Sequence, residues 1–264
     1  MVERLTEDFT SNDSVSPMQF GFTAGKSTQD AWIEVIRSVE NSSSKYILGI
    51  FIDFVGAFDN LTWEAILRKL NFVKARDLKL WRSYFSDRFV VFEGNSQEFR
   101  REVTQGCPQG SICGPFIWNL VMNDLLLSLF NAGVKSVAYA DDLLILVEGN
   151  SRKDIEDRGT DMMGIVADFA DRVGLTISTS KTECMLLKGI LAPTRPPWIR
   201  VNGQPIRYAT QVRYLGLTVS SRLNFLPHFN NLRSRLAKIT AQFKRVLRRK
   251  WGPSITIGMD CFLL

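Results

Sequence analysis

The sequence predicts an α+β fold, on the basis of three features. Residues 46–52 form an uninterrupted apolar run, which is typical of a buried strand. Residues 137–147 contain two short apolar runs, rich in β-formers, that meet at Asp141 and Asp142 and predict a hairpin. Segments with helical spacing of apolar residues lie between and after these strands. We predict helices over 30–40, 75–88, 116–130 and 154–173, a helix with Asp59 or Asn60 as its N-cap, and a second hairpin formed by 89–92 and 99–103.

Two adjacent carboxylates, Asp141 and Asp142, lie at the predicted bend of the first hairpin. Their charges repel each other, and such bends usually carry Gly or Asn to supply positive φ, which Asp tolerates less readily than Gly. The pair should therefore cost stability unless a cation neutralises it. Mg²⁺ takes one or two carboxylates and leaves its other positions for water and substrate phosphates, so this bend is a candidate half of a phosphoryl-transfer site. Taken alone, a solvated turn is the simpler interpretation.

A third carboxylate, Asp53, directly follows the predicted strand over 46–52. An isolated charge at the end of a core strand is heavily penalised, so it is a poor device for stability. If Asp53 lies beside Asp141 and Asp142 on a neighbouring strand, the three side chains would complete a clamp for two metal ions about 3.5 to 4 Å apart.

Residues 105–115 contain three glycines and two prolines in eleven positions, which predicts a shaped loop. Pro115 suits the first turn of the helix over 116–130, and Gly133 is a good left-handed stop after that helix. A glycine-rich loop that leads into a helix lets the backbone approach a base pair or a phosphate closely. As a single signal it is weak, and a structural turn is the simpler interpretation.

Taken together and in this order, these segments resemble the palm motifs of reverse transcriptases. The segments are Phe-Ile-Asp-Phe-Val-Gly-Ala-Phe-Asp at 51–59, Gln-Gly-Cys-Pro-Gln-Gly-Ser at 105–111 and Tyr-Ala-Asp-Asp at 139–142. Their versions look like those of non-LTR (LINE-type) retrotransposons, most of all the arthropod type-1 elements that insert into ribosomal RNA genes. Residues 19–31 are similar to that group's fingers motif, and segments within 174–183 and 214–217 complete the ordered series.

The resemblance covers about residues 19–251 and implies a right-hand polymerase. The expected fold is a palm, an antiparallel sheet with helices packed on one face, together with partial fingers and the helical start of a thumb. The corresponding divisions are a disordered lead-in over 1–16, fingers and palm over 17–187, a linker loop over 188–205, and the primer grip with the start of the thumb over 206–264.

By the same resemblance, Asp53 and Asp141 ligate both metal ions, and Asp142 is the third acidic partner. The backbone carbonyl of Phe54 would add a ligand. The implied cofactor is two Mg²⁺ ions, with Mn²⁺ as an alternative. One metal lowers the pKa of the primer 3′-hydroxyl and the other stabilises the triphosphate, so no protein nucleophile is needed.

The resemblance also implies how the substrate is held. Phe58 matches the steric gate that crowds a 2′-hydroxyl and so favours deoxynucleotides, although simple core packing is compatible with it. Gln109, with Gly110 beside it, matches the position that supports the incoming nucleotide. Lys181 matches the proposed general acid for the pyrophosphate leaving group, and a merely solvated lysine is the alternative. The single histidine, His228, is expected to pack or make a surface contact rather than to catalyse.

The basic charge of the chain lies in its last third. Residues 184–264 contain 14 Lys and Arg against one acid, whereas residues 1–183 contain 19 basic and 26 acidic residues. This asymmetry indicates a surface that follows phosphates, although a solvated face is the ordinary explanation of a charge run. An amphipathic helix is predicted here and is expected to end at Gly252-Pro253. Its apolar stripe should pack into the core; the stripe is Phe229, Leu232, Leu236, Ile239, Phe243 and Val246.

Four cysteines without paired metal-ligand spacing are expected to be reduced thiols, and a zinc site is not predicted. No apolar run approaches 18 residues, so no membrane is expected and the protein should be intracellular, nuclear at the site of integration. Upstream fingers residues, an endonuclease domain and a cysteine-rich segment of such elements are missing, and Val55 stands where relatives often carry Lys or Ser. We therefore expect a fragment of a longer polyprotein.

Three interpretations follow from the sequence. The favoured one is an RNA-directed DNA polymerase that copies its element's RNA from a nicked DNA primer, with an RNA template, a DNA primer and dNTPs as partners. The second is a catalytically silent nucleic-acid-binding fragment of a decayed copy. The third is another palm enzyme, such as a nucleotide cyclase or an RNA-making polymerase. Cyclases usually carry Gly-Gly where this chain has Tyr139-Ala140, and RNA makers usually lack an aromatic residue at the position of Phe58.

Overall fold

The computed structural model of the chain describes residues 16–70, 74–94, 97–107, 110–191 and 195–247. At its centre is a five-stranded sheet with the order β11-β8-β1-β6-β5, in which β11 is parallel to β8 and all other neighbours are antiparallel. The strands are β1 (Tyr46–Ile52), β5 (Lys135–Tyr139), β6 (Asp142–Gly149), β8 (Glu183–Lys188) and β11 (Arg207–Tyr208). The predicted α+β class with an antiparallel sheet is confirmed.

Strand β1 is the middle strand of the sheet, and all seven of its residues are buried. Side chains alternate between the two faces of a strand, so a continuous apolar run requires cover on both faces. Leu48, Ile50 and Ile52 face one hydrophobic cluster, whereas Ile47 and Phe51 face another. The sheet therefore separates two cores.

Two long helices build the first core. Helix α5 (Gly114–Asn131) carries Pro115 in its first turn and is followed by Gly133 at φ +74°, so both predicted helix signals are confirmed. Helix α6 (Arg152–Val173) begins with a capping box between Ser151 and Asp154 and ends at the left-handed Gly174.

The second face of the sheet is also covered. Helix α1 (Thr28–Asn41) packs there together with the hairpin of β12 (Gln211–Tyr214) and β13 (Leu217–Ser220). Trp32 of α1 meets Tyr214 edge to face with ring centroids 5.5 Å apart, and Phe51 of β1 meets the same tyrosine at 5.4 Å. These aromatic contacts close the second core.

Short elements surround the carboxyl end of β1. They are β2 (Phe54–Val55), which pairs with β7 (Thr176–Ile177), and the helices α2 (Ala57–Asn60), α3 (Trp63–Lys69) and α4 (Ala75–Tyr84).

The predicted N-cap at Asp59 or Asn60 is wrong, because these residues end α2 and Thr62 is the residue that precedes α3. Helix α4 ends four residues before the predicted boundary, and Asp87 beyond it adopts φ +51°. The second predicted hairpin is present as β3 (Phe89–Gly94) and β4 (Gln97–Glu102).

The segment 188–205, predicted to be a linker loop, is not a loop throughout. The segment contains two short paired strands, β9 (Arg200–Val201) and β10 (Gln204–Pro205), and Ile199 and Val201 are buried in the first core. Strand β11 then pairs with β8, so the chain after residue 205 begins inside the central sheet. Of the predicted lead-in over 1–16 only Ser16 is described; it is buried, and its amide donates to Asn123 Oδ1 at 2.7 Å.

Helix α7 (Leu226–Leu247) leaves the sheet after β13. Its apolar stripe was expected to pack into the core, and this expectation is wrong within the described part of the chain. Phe229, Leu236 and Phe243 are each about 60% exposed, since the helix touches the body mainly through β13. The side chain of Val246 and the residues of the predicted stop, Gly252-Pro253, lie outside the described part of the chain. Among the described helices, none is both long and apolar enough to cross a membrane.

Candidate active site

The register of β1 against β6 brings two of the predicted carboxylates together. Ile52 pairs with Leu143, so the next residues toward that end of the sheet are Asp53 on one strand and Asp142 on the other. Asp141 precedes Asp142 in the bend between β5 and β6. The three acidic residues thus meet at one end of the sheet, as the sequence predicted.

The bend differs in detail from the prediction. Tyr139 pairs with Asp142, so the two residues of the turn are Ala140 and Asp141, and Asp142 already belongs to β6. Ala140, rather than either aspartate, adopts the positive φ of +58°. Non-glycine residues resist this conformation, so surrounding contacts must hold the turn.

The electrostatics of the site disfavour three simultaneous negative charges. Burial raises the pKa of Asp141, and the nearby Asp53 carboxylate raises it further. Burial, together with repulsion by Asp141 and Asp53, raises the pKa of Asp142 to about 6, although part of this side chain is open to solvent. Repulsion of this kind arises between neighbouring carboxylates, and a cation would relieve it.

Asp53 is held by the turn that follows β7. Its amide donates to the buried Thr182 Oγ1 at 3.3 Å, and its carbonyl accepts from the Ser178 amide at 2.8 Å. The same turn places the Lys181 ammonium 3.5 Å from Asp53 Oδ2. That carboxylate oxygen is buried and accepts no hydrogen bond, so its ion pair with the ammonium leaves acceptor capacity for a cation.

The chemistry of these residues fits a divalent cation held partly by other groups. Within the described ranges, no three His, Cys, Asp or Glu side chains are grouped so that they could hold a metal ion by themselves. Mg²⁺ usually binds through one or two carboxylates plus water and phosphates, so a dedicated protein cage is not required. The Asp53 oxygen that accepts no hydrogen bond and the raised pKa values of Asp141 and Asp142 are the features that a hard cation would satisfy.

Phe58 lies at the start of α2 and follows Asp53 closely in the chain. Gly56 at φ +52° turns the backbone into this short helix, and Asn60 Nδ2 braces the turn by donating to the Val55 carbonyl at 2.8 Å. The Phe58 ring stacks on buried Trp118 with centroids 4.7 Å apart and meets Phe22 edge to face at 5.9 Å. The ring is therefore partly buried and fixed by aromatic packing. Neither Trp118 nor Phe22 was assigned a role from sequence, because both lie far from Phe58 in the chain.

The glycine-rich loop approaches the same region through its backbone. The Cys107 amide donates to the Phe58 carbonyl at 2.7 Å, and the Gly106 amide donates to the Leu61 carbonyl at 2.7 Å. At Gly106, with φ +92°, a Cβ atom would lie 2.7 Å from the Asp59 carbonyl oxygen, so only glycine permits this approach. Gln109 lies outside the described residues, and Gly110 is exposed with φ +80°. The stem of the loop, Gly106 and Cys107, is therefore hydrogen-bonded to α2 and to Leu61, which directly follows α2.

A basic cleft of about 870 Å³ opens between the end of the sheet, the β12–β13 hairpin and α7. Its cationic lining includes Lys181, Arg207, Arg213, Arg235 and Lys238. His228 also lines it, and its Nδ1 accepts from the Thr218 amide at 3.4 Å, in agreement with a contact rather than a catalytic role. The cleft has the charge and position of a surface for phosphates next to the carboxylates.

An antiparallel sheet that gathers three carboxylates beside a basic cleft is the architecture of a palm-type polymerase. The chain belongs to the reverse transcriptase (RNA-dependent DNA polymerase) family, whose model matches residues 1–219.

The chain is similar to polyproteins of insect retrotransposable elements. It is 46% identical over 252 residues to the retrovirus-related Pol polyprotein from type-1 retrotransposable element R1 of Bradysia coprophila, covering 96% of this chain and 25% of that protein. It is 47% identical over 234 residues to the putative 115 kDa protein in type-1 retrotransposable element R1DM of Drosophila melanogaster, covering 89% and 23%. The chain therefore spans about a quarter of the length of these relatives.

A solved structure supports the fold. Apo telomerase from Candida tropicalis, truncated from its C-terminal domain, superposes with a TM-score of 0.59 at 11% identity, covering 84% of this chain and 44% of that one. At this identity the likeness concerns the fold alone. It agrees with the palm architecture described above.

Proposed function

We propose that this chain is the core of an RNA-directed DNA polymerase, which transfers a nucleotidyl group from a dNTP to a primer 3′-hydroxyl on an RNA template. The observation that carries the proposal is the convergence of Asp53, Asp141 and Asp142 at one end of the sheet, where an Asp53 oxygen accepts no hydrogen bond and burial and neighbouring carboxylates raise the pKa of Asp141 and of Asp142. Family membership favours this reaction over the cyclase and RNA-making alternatives.

Asp53 and Asp141 would hold two Mg²⁺ ions, or Mn²⁺ in their place, with Asp142 as the third acidic partner and the Phe54 carbonyl as a further ligand. When bound, such ions activate the 3′-hydroxyl and stabilise the triphosphate and its leaving oxygen. The chain's own contribution is to present the oxygens on two hydrogen-bonded strands, which fixes their spacing. The docked turn of Ser178 and Thr182 fixes Asp53 from the other side.

Nucleotide selection is assigned to the region around Phe58. Its ring is held by Trp118 and Phe22, so it cannot swing aside readily to admit a 2′-hydroxyl. Gln109 and Gly110 follow the loop stem that is hydrogen-bonded to the Phe58 carbonyl, which supports their assignment to the same nucleotide. The bond couples the position of the gate to that of the loop.

Lys181 is proposed as the general acid for pyrophosphate departure. Its ammonium pairs with Asp53 at 3.5 Å, and most of the side chain is exposed, which leaves it room to turn. From this position the ammonium would donate a proton to the leaving oxygen as the bond between phosphorus and that oxygen breaks.

The template and primer would lie in the basic cleft and along α7. The described part of this region brings together cations from β11, β12 and α7 without requiring any base-specific contact, as expected for a duplex held by its phosphates. In the whole element we propose target-primed synthesis in the nucleus, with an endonuclease supplied by the rest of the polyprotein. A silent nucleic-acid-binding fragment is the competing outcome.

Primer extension tests the proposal. Oligo(dT) on poly(rA) is incubated with dTTP and Mg²⁺, and the wild-type chain is compared with the Asp141→Asn/Asp142→Asn double variant. Asp168→Asn/Asp171→Asn, at two exposed acids on α6, is the matched control for charge. Extension that is lost only in the double variant supports the polymerase. Duplex binding without extension in the wild-type chain supports the silent fragment instead.

A further inference from the structure

We infer that Gln19 is a positioning residue that holds the strained turn carrying Asp141 in its reactive geometry. The inference rests on the proposed polymerase activity for its kinetic consequence, whereas its structural consequence can be measured independently. Among the described hydrogen bonds of the Gln19 side chain, none reaches a proposed metal ligand; they run to backbone atoms of the turn and of its own segment.

The segment around Gln19 lies along the edge strand of the sheet. The Ala138 amide donates to the Met18 carbonyl at 2.9 Å, and the Phe20 amide donates to the Ala138 carbonyl at 2.8 Å. Gln19 thus forms an isolated parallel bridge with Ala138. The segment covers the free edge of β5 immediately before the turn, which places the Gln19 side chain beside that turn.

One side-chain amide binds both polar backbone atoms of Ala140. Gln19 Oε1 accepts from the Ala140 amide at 3.2 Å, and Nε2 donates to the Ala140 carbonyl at 3.4 Å. The same oxygen accepts from the Gly21 amide at 3.0 Å. Because both amide N–H groups can only donate, the oxygen of Gln19 must face them, and the nitrogen must face the carbonyl. The residue is buried, so water does not compete readily for these bonds.

Ala140 needs this support because its backbone is strained. It adopts φ +58° although it carries a Cβ atom, and it directly precedes Asp141. Residues in this region persist only where the surroundings hold them, and they cluster at functional sites. Without the clamp the turn could relax to a conformation that turns the Asp141 side chain away from Asp53.

The backbone of Gly21, two residues after Gln19, also packs closely against Ala140. A Cβ atom at Gly21 would lie 2.1 Å from the Ala140 amide nitrogen, so no other residue fits there without movement. Asn119 of α5 donates to the Gly21 carbonyl at 3.0 Å, which ties the segment to the first core. The clamp therefore has a rigid support behind it.

The test uses Gln19→Ala, with Gln204→Ala at an exposed position of β10 as the matched control. Amide hydrogen exchange should accelerate in the peptide that spans 139–142 but not in β1 or β8. In primer extension, kcat should fall at least about tenfold while KM for dTTP changes less than about threefold, because the metal-binding geometry and not nucleotide binding is lost. The control should match the wild-type chain in both measurements.

Two results would overturn the inference. One is an unchanged kcat in Gln19→Ala; the other is faster exchange spread over the whole sheet, with activity lost only in proportion to the unfolded fraction. If Gln19→Ala does not fold, Gln19→Glu replaces it, since this variant keeps the acceptor but cannot donate to the Ala140 carbonyl when ionised; full activity there would contradict the role. If the wild-type chain does not extend primers, the polymerase proposal fails, while the exchange pattern still decides whether Gln19 holds the turn.

Discussion

Phe58 stacks on Trp118, with ring centroids 4.7 Å apart and an angle of 29° between the ring planes. The two residues belong to different elements, α2 and α5, and Trp118 is fully buried. The proposed gate, Phe58, thus packs against the first hydrophobic core through Trp118. The core therefore restricts the movement of the Phe58 ring.

The stack predicts the effect of shortening the gate. Phe58→Val should leave dTTP incorporation within a few-fold and raise the relative kcat/KM for rUTP on poly(rA) by at least about tenfold, because the ring no longer excludes the 2′-hydroxyl. Phe130→Val, an exposed residue near the end of α5, is the control and should preserve discrimination. Unchanged discrimination in Phe58→Val would assign Phe58 to packing alone.

The support behind the gate can be tested through stability. Trp118→Ala should lower the free energy of unfolding by about 3–5 kcal/mol, because it opens a large cavity in the core. Trp118→Phe should cost less than about 1.5 kcal/mol, since it retains the stacking surface and removes an indole N–H that has no hydrogen-bond partner. Urea denaturation followed by circular dichroism measures both. A larger loss for Phe than for Ala would contradict this account.

The raised pKa of Asp142 predicts how metal-free stability depends on pH. In the folded chain the carboxyl keeps its proton up to about pH 6, whereas in the unfolded chain it releases the proton near its ordinary pKa of 3.8. The folded state binds more protons between these values, so its stability falls as pH rises through that window. In EDTA, Asp142→Asn should therefore have a higher Tm than the wild-type chain at pH 7, and the difference should vanish near pH 4.

The same carboxyl predicts a pH-dependent affinity for Mg²⁺. Below about pH 6 the ion must displace a proton from Asp142, so its apparent affinity should fall as pH decreases, by at most about tenfold per unit for one proton. Above pH 7 the affinity should be constant. Titration of Mg²⁺ against the thermal midpoint at pH 5, 6, 7 and 8 measures this. A flat profile would mean that Asp142 does not contribute to the metal site.

Lys181 is predicted to act on the chemical step. Lys181→Ala should lower kcat by about 10²-fold, the lower end of the range for a general acid, with little change in KM for dTTP. Lys135→Ala, an exposed lysine at the start of β5, controls for the loss of one positive charge. If Lys181→Ala instead raises KM with kcat preserved, the lysine binds the triphosphate and does not donate the proton.

Much of the site could be predicted from sequence because its motifs are local. The apolar run before Asp53 and the two runs around Asp141 and Asp142 predict buried strands directly, and the aspartates that follow or precede these runs mark where the strands end. The start and stop of α5 were likewise given by Pro115 and Gly133. The N-cap at Thr62 was missed. Asp59 and Asn60 are residue types that favour an N-cap, but in the structure they belong to the separate short helix α2.

Contacts between distant segments could not be predicted in this way. Gln19 is about 120 residues from the turn that it binds, and Trp118 is 60 residues from the ring on which it stacks. The exposure of the α7 stripe was also unexpected, because a helical apolar pattern reports an apolar face but not whether that face is covered.

The sequence by itself determined the α+β class, the family and the three acidic residues, because each depends on residues that are adjacent or regularly spaced in the chain. Only the tertiary structure decided which side chains restrain those residues: the register that sets Asp53 opposite Asp142, the stack behind Phe58, and the amide that holds Ala140. The physical reason is that strand register and side-chain packing depend on the burial of surfaces far apart in sequence, and no local pattern encodes the partner.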